Sequence, residues 1–170
     1  MQLTMKNTVS LFIFFLPVLF FSSCTKNEAP LTPKPEPEIK YSYISFKQDS
    51  IAVNLSITTA RKENVGNLYT TAIEGKLPDS TVRKNNLIIR VTGDSARLYN
   101  HTEIFASYTD SLGNTYANAI ADTINKITIS KLQKIKQGIV EGNFTIRVSN
   151  STKSKTLLLS DGKFSTSFFE

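Results

Sequence analysis

The chain has one cysteine, Cys24, and one histidine, His101, among its 170 residues. Thiol and imidazole chemistry therefore rests on two residues. Cys24 closes the run Leu19-Phe20-Phe21-Ser22-Ser23-Cys24 at the end of an apolar leader. It has no second thiol to pair with, and the chemistry its position suits is acylation, once cleavage before it makes it the first residue. A second pattern concerns hydroxyl groups. Five of the six aspartates are followed by Ser or Thr and then a small, aliphatic or Thr residue: Asp49-Ser50-Ile51, Asp79-Ser80-Thr81, Asp94-Ser95-Ala96, Asp110-Ser111-Leu112 and Asp122-Thr123-Ile124. Composition alone would produce each match about one time in ten. Asp-Ser and Asp-Thr suit turns because both side chains bond nearby backbone groups, which explains the dipeptide better than the third position.

Other chemistry is poorly supplied. A Ser-His-Asp arrangement could draw only on His101, and Asn100-His101-Thr102 reads as a turn or sheet-end segment. Glu63, Glu74, Glu103 and Glu141 are scattered, so only folding could bring two of them to the separation a glycosidase needs. There is no second histidine, no D-x-D-x-D-G loop and no thiol left once Cys24 is acylated. No metal or cofactor is expected, and Asp110 and Asn114 around Gly113 read as a turn. Tyr69, Tyr99, Tyr108 and Tyr116 could offer aromatic platforms to a carbohydrate, although packing explains most tyrosines by default and tryptophan is absent.

The leader has a polar start with one cation, Lys6, an apolar run from Val9 to Phe21, and the small residues Ser22 and Ser23. That is the layout of a secretory signal, and the run is too short for a spanning helix of roughly 20 residues. Phe21-Ser22-Ser23-Cys24 resembles the lipobox of bacterial lipoproteins, with Phe21 where leucine is usual. The resemblance implies residues 1–23 as signal peptide and Cys24 as the lipid-bearing residue. Residues 24–38 follow as a tether holding Pro30, Pro33, Pro35 and Pro37, extended and solvated at about 3.1 Å per residue.

Residues 39–170 have the size of one domain and no further linker-like stretch. Short alternating runs predict strands at Tyr41–Phe46, Ala52–Ile57, Ile127–Ser130, Phe144–Ser149 and Phe164–Phe168, and the continuous apolar run Leu87–Val91, broken by Arg90, predicts a central strand. Asp161-Gly162 is the strongest two-residue hairpin signal; Gln137-Gly138 and Leu112-Gly113-Asn114 predict two more. Ser130 to Lys136 fits either a short helix or a strand end. The expected architecture is all-β, an antiparallel β-sandwich or curled meander in a single domain.

Ile127-Thr128-Ile129-Ser130, Val140-Glu141-Gly142-Asn143-Phe144-Thr145-Ile146 and Leu159-Ser160-Asp161-Gly162-Lys163-Phe164 together resemble a strand signature of uncharacterised lipoprotein domains in the Bacteroidota. The likeness covers about the last third of the chain and implies an all-β fold without an activity. The aspartate triplets are similar to the Asp-(Ser/Thr)-aliphatic O-glycosylation acceptors of exported Bacteroidota proteins. That similarity implies Ser50, Ser80, Ser95, Ser111 and Thr123 as acceptors.

Charge narrows the partners. The formal net charge of +6 falls to +5 without Lys6, and the tether carries two cations and three anions, leaving about +6 on the domain. Lys131, Lys134 and Lys136 form the densest cluster, with Lys153 and Lys155 nearby in sequence. No aromatic-interleaved motif accompanies them, and an exported address argues against nucleic acid. Anionic envelope polymers, glycans or another envelope protein are the expected partners, beside the membrane reached through the N-terminal lipid; lysines that discourage edge pairing are the plain account of the cluster. The expectation is an outer-membrane lipid-anchored protein of the bacterial cell envelope, facing either side, with a binding or structural role and no enzymatic activity. The alternative is an envelope glycan-acting enzyme whose site is assembled only in the fold.

Overall fold

The computed structural model describes residues 42–66, 68–78 and 84–169. Cys24, the leader, the tether and Ser80 lie outside them. The described chain is almost wholly β: β1 (Tyr43–Gln48), β2 (Ile51–Leu55), β3 (Ile57–Val65), β4 (Leu68–Lys76), β5 (Asn86–Thr92), β6 (Leu98–Asn100), β7 (Ile104–Thr109), β8 (Thr115–Asn118), β9 (Lys126–Leu132), β10 (Ile139–Ser149) and β11 (Thr156–Phe169), with one 3-10 turn at His101–Glu103. Among the described residues no helix is long and apolar enough to cross a membrane.

The strands form two layers that are hydrogen-bonded into one sheet. One layer runs β2-β1-β11-β10-β9-β6 and the other β3-β4-β5-β7-β8. They join at two corners. The last residues of β11 pair in parallel with β3, Phe168 opposite Ala60, and the last residues of β10 pair with β8, Val148 opposite Asn118. With β10 paired to β11, the circuit β11-β3-β4-β5-β7-β8-β10 closes on itself. Every ladder except β11–β3 is antiparallel.

Alternation puts Ile44 and Phe46 of β1, Leu87, Ile89 and Val91 of β5, Ile127 and Ile129 of β9, and Phe144, Ile146 and Val148 of β10 into one core. The layers meet closely. Phe46 of β1 stands edge-on to Tyr108 of β7, ring centres 5.5 Å apart. Gly75 of β4 lies so near β1 that a Cβ there would come within 2.7 Å of Ile44 Cδ1.

The Gln137-Gly138 and Leu112-Gly113-Asn114 turns fall between β9 and β10 and between β7 and β8, as expected. Ser130 to Leu132 is the end of β9, not a helix. Two expectations need correction. The run from Ala52 to Ile57 is not one strand: it breaks at Ser56, where the chain passes from β2 in one layer to β3 in the other, leaving Ile57 exposed. Asp161-Gly162 is not a hairpin. It lies inside the continuous β11, where Asp161 takes a φ of +53° at a bulge opposite the Phe144–Ile146 stretch of β10. The hairpin is instead made at Asn150–Lys155, where Lys153 takes a φ of +56°.

The reason lies across the ladder. Phe144 pairs with Gly162, and Gly142 pairs with Phe164. Each phenylalanine ring folds over the other strand's glycine: a Cβ on Gly162 would meet three carbons of the Phe144 ring at 2.5–2.6 Å, and one on Gly142 would meet Phe164 Cζ at 2.5 Å. The glycine after Asp161 is there to admit a ring, not to turn the chain.

Candidate functional site

The described triplets lie in four separate turns. Asp49 and Ser50 form the β1–β2 turn with φ of +46° and +82°, the mirror-image geometry that matches strand twist. Asp49 Oδ1 accepts a hydrogen bond from the Leu158 N–H at 2.9 Å. Asp94 accepts from Lys134 Nζ at 2.9 Å, and the next residue, Ser95, is held by its backbone on the Tyr99 hydroxyl. Asp122 accepts from the Ile124 N–H and pairs with Arg147. Ser50, Ser95, Ser111 and Thr123 are all exposed. Turn geometry thus accounts for the aspartates. It leaves the third position unburied: Ile51 is 69% and Leu112 78% exposed.

Asp110 is the most elaborate of these turns. Its buried carboxylate accepts the N–H groups of Leu112 and Asn114 at 2.9 Å, Asn114 Nδ2 at 3.0 Å and the Tyr116 hydroxyl at 3.1 Å. Burial alone would raise its pKa, but the hydrogen bonds from Asn114, Tyr116 and Leu112 hold it below the usual carboxylate range. Its lone pairs are occupied by protein donors. Among the described residues no group of three or more His, Cys, Asp or Glu is placed to hold a metal ion.

His101 sits in the 3-10 turn with Nδ1 2.6 Å from the Ile120 carbonyl, so that nitrogen carries the proton and donates. The fold brings together two of the four glutamates. Glu63 and Glu74 both bind Arg61, at 2.7 and 3.0 Å, and Glu63 also binds Arg90 at 2.7 Å. The Arg90 hydrogen bond leads in holding Glu63 below its ordinary pKa. A carboxyl kept ionised in this way is the reverse of a general acid. Glu103 binds Arg97 at 2.6 Å.

Tyr99, Tyr108 and Tyr116 are core residues, not platforms, and Tyr69 alone of the four is exposed, under Lys62 at 4.1 Å. The lysines divide: Lys131, Lys134 and Lys136 lie at the β9–β10 end, whereas Lys153 and Lys155 lie in the β10–β11 turn. The eleven residues of β10 between these turns span roughly 35 Å.

The outer face of the β2-β1-β11-β10 layer is concave. A trough of about 690 Å³ is lined by Ser45, Lys47, Asn54, Asn143, Asp161 and Lys163 among others. Phe46 and Phe144 turn their rings into the core beneath it, and Ala52, Thr145 and Gly162 complete the lining. Lys47 binds Asp161 at 2.9 Å, which raises the lysine's pKa and lowers the aspartate's. Lys163 was not singled out in the sequence; the signal was its place between the inward Gly162 and Phe164. A second concavity of about 760 Å³, near Tyr116, Asn118 and Lys153, carries one cation.

No known family model, curated protein or solved structure matches the chain.

Proposed function

We propose that the chain is a lipid-anchored protein of the bacterial cell envelope, attached to the outer membrane through an acylated Cys24, with its all-β domain serving as a binding or structural module. The observation that carries this reading is the solitary cysteine at the end of the apolar leader, followed by a proline-rich stretch. Two acyl chains make attachment effectively stable, since each buried methylene adds about 0.8 kcal/mol. The filled interior supports binding at an outer surface over catalysis in a cleft. Glu63 and Glu74, the pair of glutamates that converge, are tied up by arginines.

The same reading takes the aspartate triplets as O-glycan acceptors. The exposed turn hydroxyls and the unburied Ile51 and Leu112 beside them are what a glycan-attaching transferase would need to reach. Labelled fatty acid fed to producing cells should enter the wild-type protein and not Cys24→Ala; labelling that persists in the variant overturns the anchor. The intact mass of the native protein should exceed that of the acylated polypeptide, and equality overturns the glycosylation.

A further inference from the structure

We propose that the trough on the outer face of the β2-β1-β11-β10 layer binds an acidic glycan, with Lys163 taking the carboxylate or sulfate and flanking amides and a hydroxyl taking the sugar hydroxyls. This rests on the envelope reading and names the ligand class and the site. Strand register sets Asn54 opposite Ser45, Ser45 opposite Lys163, and Lys163 opposite Asn143. Four polar side chains thus stand in one line across four strands, spanning roughly 15 Å at the usual inter-strand spacing. Among the described residues none of the four side chains forms a hydrogen bond or ion pair, and Lys163 acts on Asp161 only through its field.

The neighbouring charges favour an anion. Asp161 is already neutralised by Lys47, so Lys163 is the uncompensated charge of the trough. Each carboxamide can donate and accept at once, as can a hydroxyl, which matches the hydroxyls of a sugar. Among the described residues of the trough no ring is offered for stacking, since Phe46 and Phe144 are 3% and 2% exposed beneath the floor. Recognition therefore depends on charge and hydrogen bonds.

The test uses the full chain in detergent, from a preparation already assayed for fatty-acid label, and measures dissociation constants by calorimetry. The probes are polygalacturonate, its neutral methyl ester, chondroitin sulfate and dextran. At least one acidic polymer should bind, and dextran and the methyl ester should not. Lys163→Gln should weaken binding about tenfold or more, the value of a hydrogen bond to a charged group. Asn54→Asp, which puts an anion into the line, should weaken it too. Lys134→Gln, outside the trough, should leave it unchanged. Absence of binding to both acidic polymers, or equal loss in Lys163→Gln and Lys134→Gln, overturns the site. A labelled, envelope-bound protein that fails these assays leaves the anchor intact and removes only this proposal.

Discussion

Replacing Gly162 with alanine tests whether the glycine serves ring packing or a turn. The new Cβ would lie 2.5–2.6 Å from three carbons of Phe144, about 1 Å inside ordinary contact. The ring has little room to retreat, because Phe144 is 2% exposed and leans on Phe46 with ring centres 6.0 Å apart. Phe46 in turn stands against Tyr108. Overpacking a core of this kind costs about 1–3 kcal/mol, and the linked displacements place this site in the upper half of that range. A loss of about 2 kcal/mol lowers the melting temperature by roughly 6–10 °C in a domain of this size.

The decisive measurement is a double-mutant cycle by urea unfolding. Phe144→Ala should cost about 3–5 kcal/mol through the cavity it leaves. In the double variant the methyl of residue 162 enters space the ring has vacated, so the pair should cost little more than Phe144→Ala alone, a coupling of about 2 kcal/mol. Gly66→Ala is the control: its Cβ would meet nothing within 4 Å, but its φ of +63° carries a backbone cost of about 1–2 kcal/mol independent of Phe144. If Gly162→Ala is destabilising by less than about 0.5 kcal/mol, or the cycle is additive, the reciprocal packing is not what holds β10 to β11.

Asp110 makes stability pH-dependent in a definite sense. Its folded pKa is depressed, so its contribution is fully present above the unfolded value near 3.9 and is lost as pH falls through the folded value. Asp110→Asn should cost about 1–3 kcal/mol at neutral pH, with an amide set against donors. The gap from wild type should narrow below about pH 4; an equal gap at both pH values contradicts the assignment. Burial pushes the Tyr108 phenol up to about 12, and its hydroxyl donates to Gln48 Oε1 at 2.8 Å. Tyr108→Phe should remove an ultraviolet titration step in that range and cost about 1 kcal/mol; a spectrum that loses only a step near the ordinary tyrosine value would disprove the environment described.

What could be read from the chain was whatever depends on neighbours in sequence. The alternation of Ile127 and Ile129, or of Phe144, Ile146 and Val148, records which face is buried, and Gln137-Gly138 closes a hairpin between adjacent strands. Asp161-Gly162 carries the same local chemistry and means something else, because its partner residues are Phe144 and Lys47, distant in sequence. The β1–β2 turn shows the converse: Asp49-Ser50 has no glycine, yet both residues take positive φ. The closure of the two layers was equally hidden, since β11 reaches β3 and β10 reaches β8 through two residue pairs each.

The trough and the core follow from one spacing. Gly142-Asn143-Phe144 and Gly162-Lys163-Phe164 are the same three-residue pattern on antiparallel neighbours, and only one register lets each ring cover the other strand's glycine. In that register the middle residues, Asn143 and Lys163, stand opposite each other on the outer face. A slip of one residue would send Lys163 inward and a phenylalanine out to solvent, at the cost of both a buried charge and a lost ring. The packing that determines how β10 meets β11 therefore also determines that a free ammonium and a carboxamide face outward side by side. Ser45 of β1, paired with the same Lys163, extends that line toward Asn54. A substitution that loosens the two rings, such as Phe164→Leu, should for this reason blur the outer face as well as the core, weakening acidic-glycan binding at a position it does not touch.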